Sequence, residues 1–258
     1  MSPFKVSVIL LSLAGVVAGT GSASAERRDG LVEPRLTVEK GGAEHPHVAL
    51  TFDACMGQTD MRILDTLFDE EIPATIFVTG RWLKHNPEIV ARLKTRPDLF
   101  EIEDHGLNHI PAVDRPTSIY GIPAAGSPKA VRDEVEGGMR AIEAAGFPAP
   151  HLFRGATALY TNTAMADIEG MGLSIGGFSL NGDQGASLLA GTVEKRISSA
   201  RDGDVVIAHI NQPNRVSGEG VAKAIRTLKA RGVTFVRLDQ GVIEPKSMPK
   251  ANLAAATQ

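Results

Sequence analysis

Short apolar runs alternate along this chain with segments of helical period. Runs of four to eight apolar or β-branched residues bounded by polar turns predict buried strands. The predicted strands are Val48–Phe52, Ala74–Thr79, Leu99–Glu103, His151–Arg154, Leu173–Leu180, Asp204–Ile210 and Val233–Leu238. Strands separated by helical segments predict a single α/β domain with a parallel sheet, in either a barrel or a doubly wound arrangement.

The helical segments show apolar residues three or four positions apart, which is typical of a helix that packs one face on a sheet. Ser127 and Pro128 predict the start of the longest helix, and Gly232 predicts the end of the last one. The apolar faces are Ile63, Leu64, Leu67 and Phe68; Trp82, Ile89, Val90 and Leu93; Val131, Val135, Met139 and Ile142; and Val221, Ile225 and Leu228.

One connection, Ile110–Gly126, is long for such a fold and has neither helix nor strand period. It carries Pro111, Pro116 and Pro123 together with Tyr120. Loops of this length are usually functional or disordered. Its position predicts a wall of a substrate groove.

The first residues predict an export signal. Lys5 precedes an apolar stretch, Val6–Val17, and Ala23-Ser24-Ala25 has the small-x-small pattern of a cleavage site. A membrane anchor is the alternative, but the stretch is shorter than the roughly 20 residues that a span needs. We therefore expect an exported protein, periplasmic or secreted, with no stable membrane insertion after cleavage. The expected organisation is a signal peptide over 1–25, a flexible lead-in over 26–47, a catalytic domain over 48–240 and a tail over 241–258.

Composition adds two restrictions. The 258 residues are 43% hydrophobic and carry a net charge of −3, so they can bury a full core and give no electrostatic case for binding nucleic acid or an anionic membrane. Cys55 is the only cysteine, which excludes an intrachain disulfide. Its thiol is either a small buried apolar group or a metal ligand.

Residues that can carry chemistry follow the predicted strands. The carboxyl ends of parallel strands are where ligand sites gather in α/β folds. Asp53, Arg154 and His209 lie at three such ends, and Asp183 follows a fourth in a turn-like sequence. Each taken singly has an ordinary structural explanation as a turn residue, a surface cation or a core histidine.

The strand Leu99–Glu103 leads into an H-x-x-x-H pair formed by His105 and His109. On a helical turn this spacing places two imidazoles on one face, where they can hold a divalent metal. Two surface histidines are the alternative. His45 and His47 precede the first strand around a proline and are interpreted as solvated loop residues outside the site.

Taken in order, Asp53, His105, His109, Arg154, Asp183 and His209 resemble the five short motifs of the polysaccharide deacetylases of carbohydrate esterase family four. The resemblance covers roughly 48–238. It implies a distorted (β/α) barrel of about seven parallel strands and a divalent metal cofactor, zinc or alternatively cobalt or nickel.

The resemblance also implies a role for each residue. Asp53 is similar to the catalytic base, and Arg154 to the arginine that orients it. His105 and His109 correspond to two metal ligands. Asp183 corresponds to the aspartate that tunes the catalytic histidine, which is similar to His209. The substrate would be a polysaccharide or oligosaccharide.

Three positions depart from the family pattern. Ala54 stands where the family has a second aspartate that binds metal, so a third ligand must be Cys55, Asp60 or water. Gly155-Ala156-Thr157 replaces the prolines and aromatic residue of the third motif. Gln184-Gly185 follows Asp183 where the family has tryptophan.

We therefore expect metal-assisted hydrolysis of N-acetyl groups on an exported or cell-wall polysaccharide. In this scheme Asp53 deprotonates the attacking water and His209 protonates the departing amine. A secreted carbohydrate-binding protein of the same fold without turnover is one alternative. A metal-free amidohydrolase of the same superfamily, acting on small cyclic amides, is the other.

Overall fold

The computed structural model describes residues 30–240. The predicted signal peptide (1–25) and the predicted tail (241–258) lie outside the described residues. Within them, no helix is long and apolar enough to cross a membrane.

The core of the fold is a parallel sheet of eight strands. Its strands are β1 (His47–Ala54), β2 (Ala74–Val78), β3 (Phe100–Asp104), β6 (Leu152–Phe153), β7 (Ser174–Ile175), β8 (Leu180–Asn181), β9 (Asp204–His209) and β10 (Thr234–Phe235). They follow the order β7-β6-β3-β2-β1-β9-β8, with β10 beside the start of β1. Helices cover the outside of the sheet. The predicted distorted (β/α) barrel is confirmed.

The predicted strand Leu173–Leu180 is wrong as a single strand. Its first part, β7, pairs with β6, and β8 pairs with β9 at the other end of the strand order. Between them the chain leaves the ladder at Phe178, which exchanges main-chain hydrogen bonds with Pro34 and Leu36. A Cβ on Gly177 would lie 2.4 Å from the carbonyl oxygen of Pro34, so this approach requires glycine. One continuous segment thus joins both ends of the sheet and closes the barrel.

Seven helices surround the sheet in the described part of the chain. They are α1 (Met61–Asp69), α2 (Gly80–His85), α3 (Pro87–Leu93), α4 (Pro128–Ala144), α5 (Asn162–Gly170), α6 (Ala190–Ser198) and α7 (Ser217–Ala230). The predicted helix around Trp82 and Leu93 is two helices, because Asn86 leaves the helical conformation before Pro87. Ser127 caps α4 by accepting a hydrogen bond from Ala130 N.

Two apolar layers hold the barrel. The larger lies between the sheet and the helices and includes Phe52, Ile76, Leu64 and Ile225. A smaller layer faces the barrel interior and includes Phe77. Because side chains alternate along a strand, β1 sends Phe52 and Ala54 outward and Asp53 inward.

The lead-in before β1 differs from the predicted flexible segment. Leu36 and Val38 are buried, and Thr37 forms an isolated antiparallel bridge with Asp204. This segment therefore pairs with Phe178 and with the start of β9, and its apolar side chains join the interior layer of the barrel.

The long connection contains a small hairpin that the sequence pattern did not show. Its antiparallel strands are β4 (Ser118–Ile119) and β5 (Ile122–Pro123). Ile119 and Val113 are buried, whereas Tyr120 at the tip is 72% exposed. Its role as a groove wall stays a prediction.

Candidate active site

The candidate base and acid are direct neighbours in the sheet. Asp53 in β1 lies opposite His209, the last residue of β9, in the parallel register. Ile210 N donates to the carbonyl oxygen of Asp53 at 3.1 Å, which continues this pairing past the strand end. The two side chains therefore emerge at the same level of the carboxyl edge.

Arg154 holds Asp53 from below the site. The guanidinium is fully buried, and its Nη1 donates to Asp53 Oδ1 and to Thr51 Oγ1, both at 2.9 Å. Its Nε donates to the carbonyl of Gly176 at 2.7 Å and its Nη2 to that of Gly177 at 2.9 Å. The arginine therefore contacts the candidate base and the closing segment of the barrel at the same time.

The charges around Asp53 favour its ionised form. Burial alone would raise the pKa of Asp53, but the Arg154 guanidinium and the imidazoles of His105 and His209 hold that pKa below its ordinary value. A buried carboxylate that stays ionised suits the role of a proton acceptor.

Asp183 fixes the orientation of His209. One carboxylate oxygen of Asp183 is 2.9 Å from His209 Nδ1, and the other accepts from His209 N at 2.7 Å. Burial would lower the pKa of His209, but the charge of Asp183 raises it well above its ordinary value. With Nδ1 directed at Asp183, Nε2 remains for the site.

His105 and His109 come together, but not on a helix. The predicted helical turn is wrong, because Gly106 and His109 have φ values of 85° and 66° and form a loop. Glycine suits the first of these left-handed positions, whereas His109 is held there by its surroundings. The two rings nevertheless approach to 5.1 Å between centroids.

His105 is oriented toward the centre of the site. Its Nδ1 donates to the main-chain carbonyl of Arg154, and its Nε2 lies 3.5 Å from Cys55 Sγ and 3.8 Å from Asp53 Oδ2. Burial would lower the pKa of His105, but the Asp53 carboxylate and Cys55 raise it to about 9. A carbonyl that holds one ring nitrogen and frees the other is the usual support of a metal-binding histidine.

Cys55 completes a group of three donors. Sulfur and imidazole nitrogen atoms of Cys55, His105 and His109 all lie within 4.8 Å of one another. Burial would raise the pKa of the thiol, but the imidazoles of His105, His109 and His209 hold it well below its ordinary value. One thiolate and two imidazoles form a donor set that suits zinc, so the residues fit a divalent metal.

The other predicted candidate, Asp60, has a different role. Its carboxylate caps α1 and forms an ion pair with Arg62, with Nη2 at 2.6 Å from Oδ2. It is absent from the donor group that the described residues form around His105.

Three polar side chains from separate elements hold the loop that carries Cys55. Each donates to one of three successive main-chain carbonyls. These pairs are Thr79 to Cys55, Asn211 to Met56 and Asn86 to Gly57. The position of the thiol therefore depends on the ends of β2, α2 and β9.

Comparison with known proteins decides the family. A family model described as polysaccharide deacetylase matches residues 40–176, more than half of the chain. The chain belongs to the polysaccharide deacetylase family. Asp53, His105, His109 and Arg154 all lie within the matched range.

A curated relative and two solved structures show how this deacetylase domain compares with others. A bifunctional xylanase/deacetylase from Pseudobutyrivibrio xylanivorans is 24% identical over 194 residues, covering 75% of this chain and 30% of that protein. The matched segments span only 30–34% of the length of the curated relatives.

Both structures share the barrel. A CE4 family pseudoenzyme from Bacillus anthracis has a TM-score of 0.62 at 20% identity, covering 78% of this chain and 66% of that chain. A family 4 acetyl xylan esterase from Clostridium thermocellum in complex with a cobalt ion has a TM-score of 0.61 at 26% identity, covering 75% of this chain and 88% of that chain.

The alternation of β1 explains the departure at Ala54. Ala54 is fully buried in the apolar layer beneath the helices, whereas Cys55 meets the imidazoles. Asp53 and Cys55 share a face at a spacing of two, which is the strand period. The sequence alone left Cys55, Asp60 and water as alternatives for a third ligand, and this spacing was the signal that could have favoured Cys55.

Sequence reasoning missed Glu134, a buried residue of α4. Its Oε1 accepts from Asn108 N at 2.7 Å and Ile110 N at 3.1 Å, and its main-chain carbonyl accepts from Leu107 N at 3.0 Å. These bonds hold the backbone on both sides of His109. No local pattern identifies such a residue, because its partners lie 24–26 positions away in the chain.

Left-handed backbone is concentrated in loops at this edge of the barrel. Non-glycine residues with positive φ cost conformational energy and often mark functional loops. Those in the loops after β3, β6 and β8 are His109, Thr157, Ala158, Gln184 and Ala186. Two of these loops are those in which the sequence departs from the family pattern.

Proposed function

We propose that this protein hydrolyses N-acetyl groups on an exported or cell-wall polysaccharide. The observation that carries the proposal is the pairing of two oppositely tuned groups, Asp53 and His209, side by side on β1 and β9. Hydrolysis of an amide needs a base and an acid at once. Family membership supports deacetylation as the reaction class.

Asp53 acts as the base. Its carboxylate, held ionised by Arg154 at 2.9 Å, takes a proton from the water that attacks the acetyl carbonyl. The fixed guanidinium also limits the rotation of the carboxylate, so one oxygen stays directed toward the site. Arg154 is a positioning residue in this scheme.

His209 acts as the acid. The amine that leaves the amide carbon requires a proton, and a histidine paired through Nδ1 with Asp183 retains one on Nε2. Because Asp183 also accepts from His209 N, the ring and its backbone are held together. The ring's partial exposure gives substrate access to it.

Cys55, His105 and His109 would hold a divalent metal ion, with zinc the best fit to a sulfur and two nitrogen donors. When bound, such an ion polarises the carbonyl and stabilises negative charge on its oxygen. The cobalt-bound esterase neighbour supports metal use by this fold. Asp53 Oδ2 lies 3.8 Å from His105 Nε2, so the base and the donor group are adjacent.

Export rests on the signal-like residues at the start of the chain. An extracellular or periplasmic location agrees with a polymeric substrate, and the small net charge of −3 agrees with an uncharged glycan.

A carbohydrate-binding protein without turnover is the second candidate. The observation that favours it is the similarity to a CE4 family pseudoenzyme, together with Ala54 in the position of the usual aspartate ligand. Such a protein would retain affinity for acetylated glycans but release no acetate.

One panel assay tests both candidates. Acetate release is measured from chitin oligomers, peptidoglycan, acetylated xylan and poly-N-acetylglucosamine, with chelator and then with added zinc, cobalt or nickel. We expect release from at least one N-acetylated glycan. Asp53→Asn and His209→Ala should each lower kcat by about 100- to 10,000-fold. The exposed residues Asp133 and His85 provide matched controls as Asp133→Asn and His85→Ala.

Unchanged turnover in both active-site variants would refute the mechanism. Glycan binding with no acetate release under any metal condition would favour the second candidate.

A further inference from the structure

A second cluster of metal-type donors lies on β3, away from the candidate active site. Glu101 and Glu103 point to the same side of β3, and His151 immediately precedes β6. Oxygen and nitrogen atoms from the three side chains lie within 4.8 Å of one another. Glu101 is level with Thr75 and Thr51 in the ladder, two positions before Asp53 toward the amino edge of the sheet.

Glu103 orients His151. Its Oε1 is 2.7 Å from His151 Nδ1, and its Oε2 accepts from the main-chain nitrogens of His151 at 3.0 Å and Leu152 at 2.7 Å. Both oxygens are therefore occupied, and the imidazole turns Nε2 toward Glu101. A carboxylate that holds the far nitrogen of a histidine is a common support of metal-binding imidazoles.

Glu101 presents one carboxylate oxygen with no hydrogen bond. Its Oε2 accepts from Thr75 Oγ1 at 2.5 Å and from Leu238 N at 2.9 Å. Its Oε1 is buried, has no hydrogen-bond partner among the described residues, and lies 3.4 Å from His151 Nε2. Glu101 as a whole is only 8% exposed. A buried acceptor without a donor costs about 1–3 kcal/mol, more when it is charged.

The two cationic side chains that line the cavity beside this cluster make other contacts. Arg237 forms an ion pair with Asp239 and donates to the carbonyls of Pro97 and Asp98. Lys94 lies over the ring of Phe147 at 5.4 Å. Both line the same cavity of about 350 Å³ as the carboxylates.

We propose that Glu101 Oε1 and His151 Nε2 bind a divalent transition-metal ion from this cavity, with Glu103 holding the imidazole. Two ligand atoms at about 2.0–2.2 Å from one ion lie roughly 3.4 Å apart in a tetrahedral site, which is the separation found here. Mixed carboxylate and imidazole donors suit Zn²⁺ and Mn²⁺. Two carboxylates and a neutral imidazole balance the charge of such an ion.

The electrostatics at Glu101 also favour a bound cation. Burial and the neighbouring charges of Glu103 and Asp239 raise the pKa of Glu101 to about 7, the direction expected for a carboxylate with no cation beside it. A bound cation would compensate the negative charge of the two carboxylates. This site is independent of the active-site chemistry proposed above.

Metal stoichiometry tests the proposal in the full-length protein. The double variant His105→Ala, His109→Ala removes the two imidazoles of the active-site donor group and is titrated with Zn²⁺ and with Mn²⁺. We expect about one equivalent to remain bound. Adding His151→Gln, at a half-exposed position, should weaken that binding at least tenfold, and adding Glu101→Gln should do the same. His85→Ala is the matched control on an exposed histidine of α2.

A spectroscopic measurement assigns the ion to these residues. In NMR spectra of the double variant, Zn²⁺ should shift the imidazole resonances of His151. Paramagnetic Mn²⁺ should broaden the same resonances. Activity on acetylated glycans at saturating zinc should be unchanged by His151→Gln alone. The proposal is overturned if the double variant binds no metal, or if its remaining ion is insensitive to both His151→Gln and Glu101→Gln while the proteins stay folded.

Discussion

Arg154 contacts Asp53 through Nη1 at 2.9 Å, while its Nε and Nη2 bind the carbonyls of Gly176 and Gly177. The group that tunes the candidate base is thus also the group that fastens the closing segment. Loss of this guanidinium is expected to affect turnover and stability together.

Arg154→Lys tests this double role. Lysine keeps the charge but cannot reproduce the fork that reaches the two carbonyls. We expect kcat to fall on the order of 100-fold because the carboxylate is displaced, with KM little changed. Unfolding in urea should show a loss of stability of about 1–3 kcal/mol, because the buried carbonyls of Gly176 and Gly177 lose a donor. An Arg154→Lys enzyme with normal kcat would mean that Asp53 does not depend on this contact. Arg140→Lys, at an exposed arginine, is the control.

Cys55→Ser tests the third metal ligand. A thiolate bound to Co²⁺ gives a charge-transfer absorption in the near ultraviolet, which a serine or an alanine at this position should abolish. We expect zinc affinity, measured by competition with a chromophoric chelator, to fall by about 10- to 100-fold. Retention of the charge-transfer band in Cys55→Ser would exclude the sulfur as a ligand, since the chain has no second cysteine.

Glu134→Gln tests the residue that supports His109. Glutamine keeps one carbonyl oxygen but not the carboxylate charge that Asn108 N and Ile110 N share. We expect zinc affinity to fall about tenfold, with a larger loss in Glu134→Ala. Glu136→Gln, an exposed position on the same helix, should leave the affinity unchanged. Equal effects of the Glu134 and Glu136 variants would show that the supporting contact is unimportant for metal binding.

Asp202 provides a pH-dependent contribution to the start of β1. Burial would raise its pKa, but hydrogen bonds from the main-chain nitrogens of His47, Gly41 and Gly42 lower it. Because the folded pKa is below the unfolded value of about 4, the stabilisation is present above that pH and is lost as pH falls through the folded pKa.

Asp202→Asn should therefore lower the urea midpoint at pH 7 and have a shrinking effect below pH about 4. Equilibrium unfolding of both proteins across this range measures the difference. A difference that is constant with pH would show that the lost hydrogen bonds, and not the carboxylate charge, account for the effect.

Several parts of this fold could be predicted because their signals are local. β1, β2 and β9 are continuous apolar runs, and the residues after them fall at one edge of a parallel sheet by geometry alone. Asp53, Arg154, Asp183 and His209 were therefore expected near each other, and the structure brings them together.

The predictions that were wrong failed because contacts between distant parts of the chain decide these conformations. The run from Leu173 to Leu180 is apolar enough for one strand apart from its two glycines, yet contacts with Pro34 and Leu36 take Phe178 out of the ladder. The turn at His105–His109 is set by Glu134 on a distant helix. The H-x-x-x-H spacing predicted that the rings would meet, but the conformation that brings them together depends on contacts that the spacing does not encode.

The lead-in segment has a consequence for the order of folding. Thr37 bridges to Asp204, and Val38 N donates to the carbonyl of Gly203, so one of the first described segments pairs with one of the last. Closing such a long loop costs entropy before any contact is gained, and contacts of this separation slow folding. During synthesis Leu36 N gains its partner when Phe178 emerges, whereas Val38 N gains its partner only when Gly203 emerges. The lead-in therefore completes its contacts late, and a variant that weakens the pairing of Val38 with Gly203 should speed unfolding more than it slows folding.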